Sequence, residues 1–267
     1  MKKMAFIYDF DHTLSPKDMP EFHLLKRLGY SDPKEFWQKC GELSKACNMD
    51  GILSYMYLLA KEDPDMTQDQ LIKEGEYLEY YPGVEKWFSR MNRYARERGI
   101  DLEHYIISSG LKDIIAGSSI AHEFKRIDAC SYYYDVDGKA KWPARVVNYT
   151  TKTQYLFRIN KGVLDETNDA DLNSSTPEDS KYIPLHRMVY FGDGFTDVPS
   201  MKVVSQSGGT TIAVFADLDN DPAKQLHQDK RASFVAKADY RSGSRIDTIC
   251  KKLIDAKALE IKLDKYR

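Results

Sequence analysis

Two short acidic clusters hold the residue types with the most chemistry in this sequence. Asp9-Phe10-Asp11-His12-Thr13 follows the apolar run Ala5 to Tyr8. Gly192-Asp193-Gly194-Phe195-Thr196-Asp197 follows Met188-Val189-Tyr190-Phe191. Side chains two apart on an extended chain share a face, so Asp9 and Asp11 are able to point the same way. Carboxylates that close repel, which raises a pKa unless a cation lies between them. A lone Asp-x-Asp is more often turn chemistry after a strand. Two such clusters, each behind a buried strand, are better explained by a site, because open α/β sheets bind ligands outside the carboxyl ends of their strands. Four carboxylates gathered there need a cation, and hard oxygen donors of this kind suit Mg²⁺.

Two further places fit an anion beside that cation. Ser108-Ser109-Gly110 ends the strand-like run from His104, and its hydroxyls and backbone N–H groups form either an ordinary loop or an anion site. Lys152 opens a helix expected over Thr151 to Asn160, with Thr151 as N-cap and Gln154 at the third position. A lysine in the first turn opposes the helix dipole, which is easier to understand if it faces an anion than if it is a surface residue.

The elements that must hold these residues alternate. Strands are expected at Ala5–Tyr8, His104–Ser108, Met188–Phe191, Thr211–Phe215 and Phe234–Val235. Helices are expected at 113–124 and 246–263, and a hairpin over 129–147 turns at Asp137-Gly138. Such alternation implies a parallel sheet covered on both faces. Residues 16–99 read differently, as helices with few strand signals. Asp32-Pro33 starts one, Asp50 another, and Thr67 with Gln70 forms a capping box ahead of Leu71 to Tyr80. Val84 to Arg98 is the last. The expected organisation is therefore a core of 1–15 and 100–267 with a helical module of 16–99 inserted. Residues 162–184 form a polar acidic loop in the core, carrying Asp165, Glu166, Asp169, Asp171, Glu178 and Asp179, and read as a solvated loop or a lid.

Composition narrows the class. Thirty-nine basic against 41 acidic side chains give a net charge of −2, so electrostatics offers no case for nucleic acid or a membrane surface as the main partner. With 42 % apolar and 30 % charged residues the chain reads as an ordinary soluble globular protein. Its first apolar stretch stops at Asp9 without a cleavage-site pattern, so a cytoplasmic protein is expected. Four cysteines without a CxxC pair read as small buried hydrophobes.

The four elements, in this order, resemble the haloacid dehalogenase (HAD) superfamily in its phosphatase branch. DFDHT is similar to its DxDxT signature and IISSG to its second motif. Lys152 is similar to the third-motif lysine and GDGFTD to the GDxxxD motif. The helical module lies where C1-capped members, such as phosphoserine phosphatase and its relatives, carry their cap. Their Ser-Gly-Gly is replaced here by Ser108-Ser109-Gly110. The resemblance implies a Rossmann-like α/β core with a small helical C1 cap. It implies Mg²⁺-dependent hydrolysis of a small phosphorylated metabolite through an aspartyl-phosphate, by a monomer or homodimer. Asp9 would be the nucleophile and Asp11 the general acid and base. Asp9, Asp11, Asp193 and Asp197 would hold the metal, and Ser108, Ser109, Lys152 and Thr13 the phosphate. Asp18, Glu21 and Arg27 are candidates for contacting the rest of the substrate. His12 is a further candidate, and Tyr55, Met56, Leu58 and Leu59 read as a pocket wall or, more simply, cap core. The competing expectation is a catalytically silent protein that binds a phosphorylated ligand.

Overall fold

Strand β1 (Lys2–Tyr8) is buried over its last five residues and lies mid-sheet, parallel to β2 (Ile100–Leu111) on one side and to β5 (Met188–Gly192) on the other. The computed structural model describes residues 1–216, 222–263 and 266. The sheet has seven strands in the order β4-β3-β2-β1-β5-β6-β7, with β3 (Arg126–Tyr134), β4 (Ala140–Arg145), β6 (Thr210–Phe215) and β7 (Phe234–Lys237) completing it. All neighbours run parallel except the β3–β4 hairpin, whose turn falls at the expected Asp137-Gly138. A continuous apolar run such as Ala-Phe-Ile-Tyr is what a parallel strand covered on both faces requires. The strands that lead into the two acidic clusters and the one that carries Ser108 are three adjacent ones.

Helices α1 (Leu24–Arg27), α2 (Pro33–Cys47), α3 (Gly51–Glu62) and α4 (Gln68–Glu74) form the inserted unit. Asp32 accepts from Lys34 N–H and Asp50 from Ile52 N–H, and both halves of the Thr67–Gln70 capping box are present. The expected helix to Tyr80 stops at Glu74, followed by one 3₁₀ turn over Gly75–Tyr77. There the backbone of the unit meets that of the core. A Cβ on Gly117 would lie 1.7 Å from the Ile72 carbonyl oxygen, and one on Gly75 would lie 2.3 Å from that of Ile114. The chain leaves for the unit and returns from it at one point, where Tyr81 N–H donates to the Leu14 carbonyl at 2.9 Å.

Helix α5 (Trp87–Arg96) was expected inside the inserted module but lies on the sheet, so the boundary at residue 99 moves back ahead of α5. Its buried face of Trp87, Phe88, Met91 and Ala95 covers β1 and β2. The Trp87 indole N–H donates to the Tyr8 hydroxyl at 2.8 Å, and Arg90 pairs with Asp247. Periodicity gives a helix its apolar face but does not name the layer that face meets. The remaining helices are α6 (Lys112–Ala116), α7 (Lys152–Lys161), α8 (Asp169–Asn173), α9 (Val198–Gln206), α10 (Pro222–Gln228) and α11 (Arg245–Leu263). The helix expected over 113–124 is only α6 and a later 3₁₀ turn, because Gly117 must approach the inserted unit.

The acidic stretch is folded onto α7 and the β3–β4 edge. Glu166 pairs with Arg126 at 2.8 Å and with Arg145, while Arg158 donates to the carbonyls of Asp165 and Glu166. Lys161 donates to the Leu172 and Ser174 carbonyls. Among the described residues no helix is long and apolar enough to cross a membrane.

Candidate active site

At the carboxyl edge of β2, β1 and β5 a cavity of about 240 Å³ opens toward the inserted helices. Asp9, Asp11, His12, Ser108, Ser109, Gly110, Asp193 and Thr196 line it from the core; Asp18, Pro20, Trp37, Ile52 and Tyr55 line it from the inserted unit and its linker. Asp9 Oδ1 accepts the N–H of Phe10 at 2.7 Å, and its Oδ2 accepts from Lys152 Nζ at 2.6 Å. The fully buried ammonium of Lys152 also donates to Asp197 Oδ1 at 2.8 Å, and the Tyr190 hydroxyl donates to that same oxygen at 2.8 Å.

Local structure explains each placement. Lys152 opens α7, but Thr151 does not cap it. Thr151 Oγ1 accepts the Asn148 N–H, while Asn148 Oδ1 takes the N–H groups of Thr150 and Thr151. Asn148 therefore fixes the turn that presents Lys152, and the expected cap at Thr151 is corrected on that geometry. Asp197 reaches the lysine because position 192 is glycine: a Cβ there would lie 2.3 Å from the Asp197 carboxylate. Ser108-Ser109-Gly110 sits within a bulge of β2, whose pairing with β3 shifts between Ile107 and Leu111. Ser108 Oγ accepts the Gly110 N–H at 3.0 Å, and Ser109 Oγ is buried with no partner among the described residues.

Burial is the largest influence on these carboxyls. It pushes the Asp9 carboxyl up to about 6, aided by Asp197 and opposed by Lys152. Burial also holds Asp11 well above the usual carboxylate range, reinforced by Asp18 and Asp9, and does the same to Asp193 with Asp197 and Asp9 beside it. Burial alone would discharge Lys152, yet Asp197 and Asp9 outweigh it and keep the ammonium charged. Asp18 lies 3.6 Å from His12 and is the main cause that pushes the imidazole up to about 9.

Thus Asp9, Asp11, Ser108, Ser109 and Asp193 meet at one cavity, with Lys152 and Asp197 directly behind Asp9. Thr13 is not brought there. It is fully buried away from the cavity lining, with no partner for Oγ1 among the described residues and its carbonyl accepting from Tyr240. Of the outer candidates, Asp18 and His12 line the cavity, while Glu21 accepts the Trp37 indole N–H and Arg27 pairs with Glu74 and Asp63. Tyr55 separates from its neighbours. It lines the cavity and donates to the Ser109 carbonyl at 2.8 Å, whereas Met56, Leu58 and Leu59 are buried in the core. Tyr190 went unread in the sequence, although a tyrosine in a fully buried strand needs a polar partner. None of the described residues lining the cavity comes from the acidic stretch.

The same architecture occurs in solved structures. A HAD family hydrolase from Salmonella enterica subsp. enterica serovar Typhi superposes with a TM-score of 0.53 at 16 % identity, over 79 % of this chain and 62 % of its own. This chain thus spans less than two thirds of that hydrolase. A substrate-bound phosphoserine phosphatase superposes with a TM-score of 0.60 at 17 % identity, over 91 % of this chain and 97 % of its own. The fold is that of the haloacid dehalogenase superfamily. In sequence, an uncharacterised protein of Borreliella burgdorferi is 26 % identical over 274 residues, which is 91 % of this chain and 93 % of that protein. No protein-family model matches the chain.

Within this HAD-type fold the donor set suits a hard divalent cation. Ligand oxygens of Asp9, Asp193 and Asp197 lie within 4.8 Å of one another, and the raised carboxyls of Asp9 and Asp193 mark a site short of positive charge. A stability test follows. Carboxyls whose pKa is raised by folding bind more protons folded than unfolded, so their contribution falls as pH rises from about 4 through about 6 for Asp9. A cation replaces those protons. Saturating Mg²⁺ is therefore expected to raise Tm more at about pH 8 than at about pH 5, against EDTA controls. An equal gain at both pH values, or none, would remove these carboxylates as the metal site.

Proposed function

We propose that this protein is a Mg²⁺-dependent phosphomonoester phosphatase working through an aspartyl-phosphate. One observation carries the reading: the Asp9 carboxylate is held by a buried lysine at a strand end, in the same cavity as a second aspartate, Asp11, whose carboxyl burial pushes well above the usual carboxylate range. The phosphoserine phosphatase and the HAD hydrolase among similar folds support the reaction class.

Phosphoryl transfer asks the protein mainly for positioning and charge neutralisation. Asp9 supplies the attacking oxygen, and the P–O bond to the alcohol breaks as the Asp9–phosphorus bond forms. Asp11, whose carboxyl burial pushes above the usual carboxylate range, donates a proton to the departing alkoxide. The resulting carboxylate then takes a proton from the water that hydrolyses the phosphoaspartate. Met19 N–H donates to Asp11 Oδ1 at 2.9 Å and fixes that carboxyl in the cavity. Lys152, Ser109 and the N–H groups of the β2 bulge offer donors for phosphoryl oxygens, whose charge grows in the transition state. Magnesium held by Asp9, Asp193 and Asp197, with the Asp11 carbonyl, would neutralise phosphoryl charge.

Phosphate release from p-nitrophenyl phosphate, with Mg²⁺ and with EDTA, tests the reading. Turnover that requires the metal is expected, and equal turnover without it would overturn the metal assignment. Tyr55 tests the role of the inserted helices. Its hydroxyl joins the unit to the Ser109 carbonyl, so Tyr55→Phe removes one hydrogen bond of about 1 kcal/mol and should lower kcat/KM about fivefold. Unchanged kcat/KM with a lower Tm would make the bond structural only.

A further inference from the structure

Asp11 is oriented from outside the strand that leads to it. The bond that fixes its carboxyl comes from Met19, in the segment joining the core to the inserted helices, whose N–H donates to Oδ1 at 2.9 Å. When Asp11 holds the proton it is to donate, its carbonyl oxygen is the better acceptor, so that bond leaves the proton on Oδ2. Met19 is in turn held at its far end. It is 2 % exposed, and its thioether sulfur accepts the Leu111 N–H of β2 at 3.1 Å. Room for the thioether exists because position 110 is glycine. A Cβ there would lie 2.1 Å from Met19 Cε, 2.8 Å from its Sδ and 3.0 Å from Asp11 Oδ2. Asp18 and Pro20, on either side of Met19, line the cavity, whereas Met19 does not. A methionine side chain is flexible by nature, and this one is pinned at both its sulfur and its backbone.

We propose that Met19 is the positioning residue of the general acid, an inference that rests on the phosphatase reading: its thioether, seated over Gly110, sets the backbone N–H that aims Asp11. The acid is then assembled by the linker and the β2 bulge together, not by the end of β1 alone. Disturbing Met19 should be felt in proportion to the leaving group's need for a proton. Breaking the P–O bond of an alkyl ester releases an alkoxide, which takes the Asp11 proton as it departs. In contrast, p-nitrophenolate leaves as a stable anion and needs little help. A side chain that merely filled space would show no such dependence.

Propyl phosphate and p-nitrophenyl phosphate separate the two. Each is measured with Mg²⁺ as kcat/KM, which reports departure of the leaving group and not the later hydrolysis of the phosphoaspartate. Met19→Ala is expected to lower kcat/KM at least about tenfold on propyl phosphate and less than about twofold on p-nitrophenyl phosphate. Met19→Leu keeps the volume but removes the acceptor of the Leu111 N–H. It should shift the ratio of the two esters at least about threefold with a Tm near that of the wild type, and it decides the matter if Met19→Ala does not fold. Asp11→Asn should shift the ratio the same way and further, and adding Met19→Leu to it should leave the ratio unmoved. Equal losses on both esters, a ratio that neither Met19 variant changes, or a further shift in the double variant overturns the role of Met19 and leaves the phosphatase reading standing. No turnover of either ester by the wild type overturns that reading, and this role with it.

Discussion

Asp9→Asn is expected to lower kcat by at least about 10⁴-fold while leaving the fold intact, because an amide neither attacks phosphorus nor carries the charge a metal needs. Its stability should move the other way from a typical buried substitution. Burial lifts the Asp9 carboxyl to about 6, above its unfolded value, so at neutral pH the ionised group costs stability; the amide does not. The metal-free variant should therefore have a Tm at or above that of the wild type at about pH 7.5, and the difference should shrink toward about pH 4. Phosphate release and calorimetric Tm on one preparation check both halves. Near-normal turnover would remove Asp9 as nucleophile. A markedly lower Tm would mean that its charge is needed to seat Lys152.

Lys152→Met is expected to have the largest effect on stability. Lys152 Nζ is buried between Asp9 and Asp197, both buried, and without it two carboxylates face each other with only Tyr190 and backbone donors near. Removing one partner from a buried ionic network costs about 3–5 kcal/mol, or roughly 10 °C in Tm for a chain of this size. Activity should fall as well, since the same ammonium faces the nucleophile. The double variant Lys152→Met/Asp197→Asn separates the two losses. It should recover much of the Tm, measured by thermal unfolding, and none of the phosphate release. Recovery of turnover would make Lys152 merely a structural counter-ion.

Some of this was legible in the sequence and some was not. The acids after β1 and β5 could be read because apolar runs long enough for buried strands end abruptly in Asp and Gly, and both ends lie on one sheet edge. Caps at Asp32, Asp50 and Thr67 were equally plain, since each is a contact within a few residues. Long-range choices left no local mark. Nothing in Trp87 to Arg96 says that the helix lies on the sheet, nor in Thr151 that Asn148 would hold the turn. Thr13 belongs to a signature-like run, yet its side chain packs away from the cavity. Tyr55 looked like one more member of an apolar stripe until its hydroxyl was placed beside Ser109.

The hydrogen bond from Tyr81 to Leu14 has a consequence for how the chain folds. Pairing β1 with β2 joins Lys2 to Ile100, a closure across more than the N-terminal third of the chain and of the kind that slows folding. The intervening helices begin from local caps and form from contacts near in sequence. Once they have packed and brought Leu14 within 2.9 Å of Tyr81, the strands are separated only by the few residues from 9 to 14 and by α5 with its approach. The inserted unit thus works as a clasp on the polypeptide, turning a long search into a short one before any substrate is met.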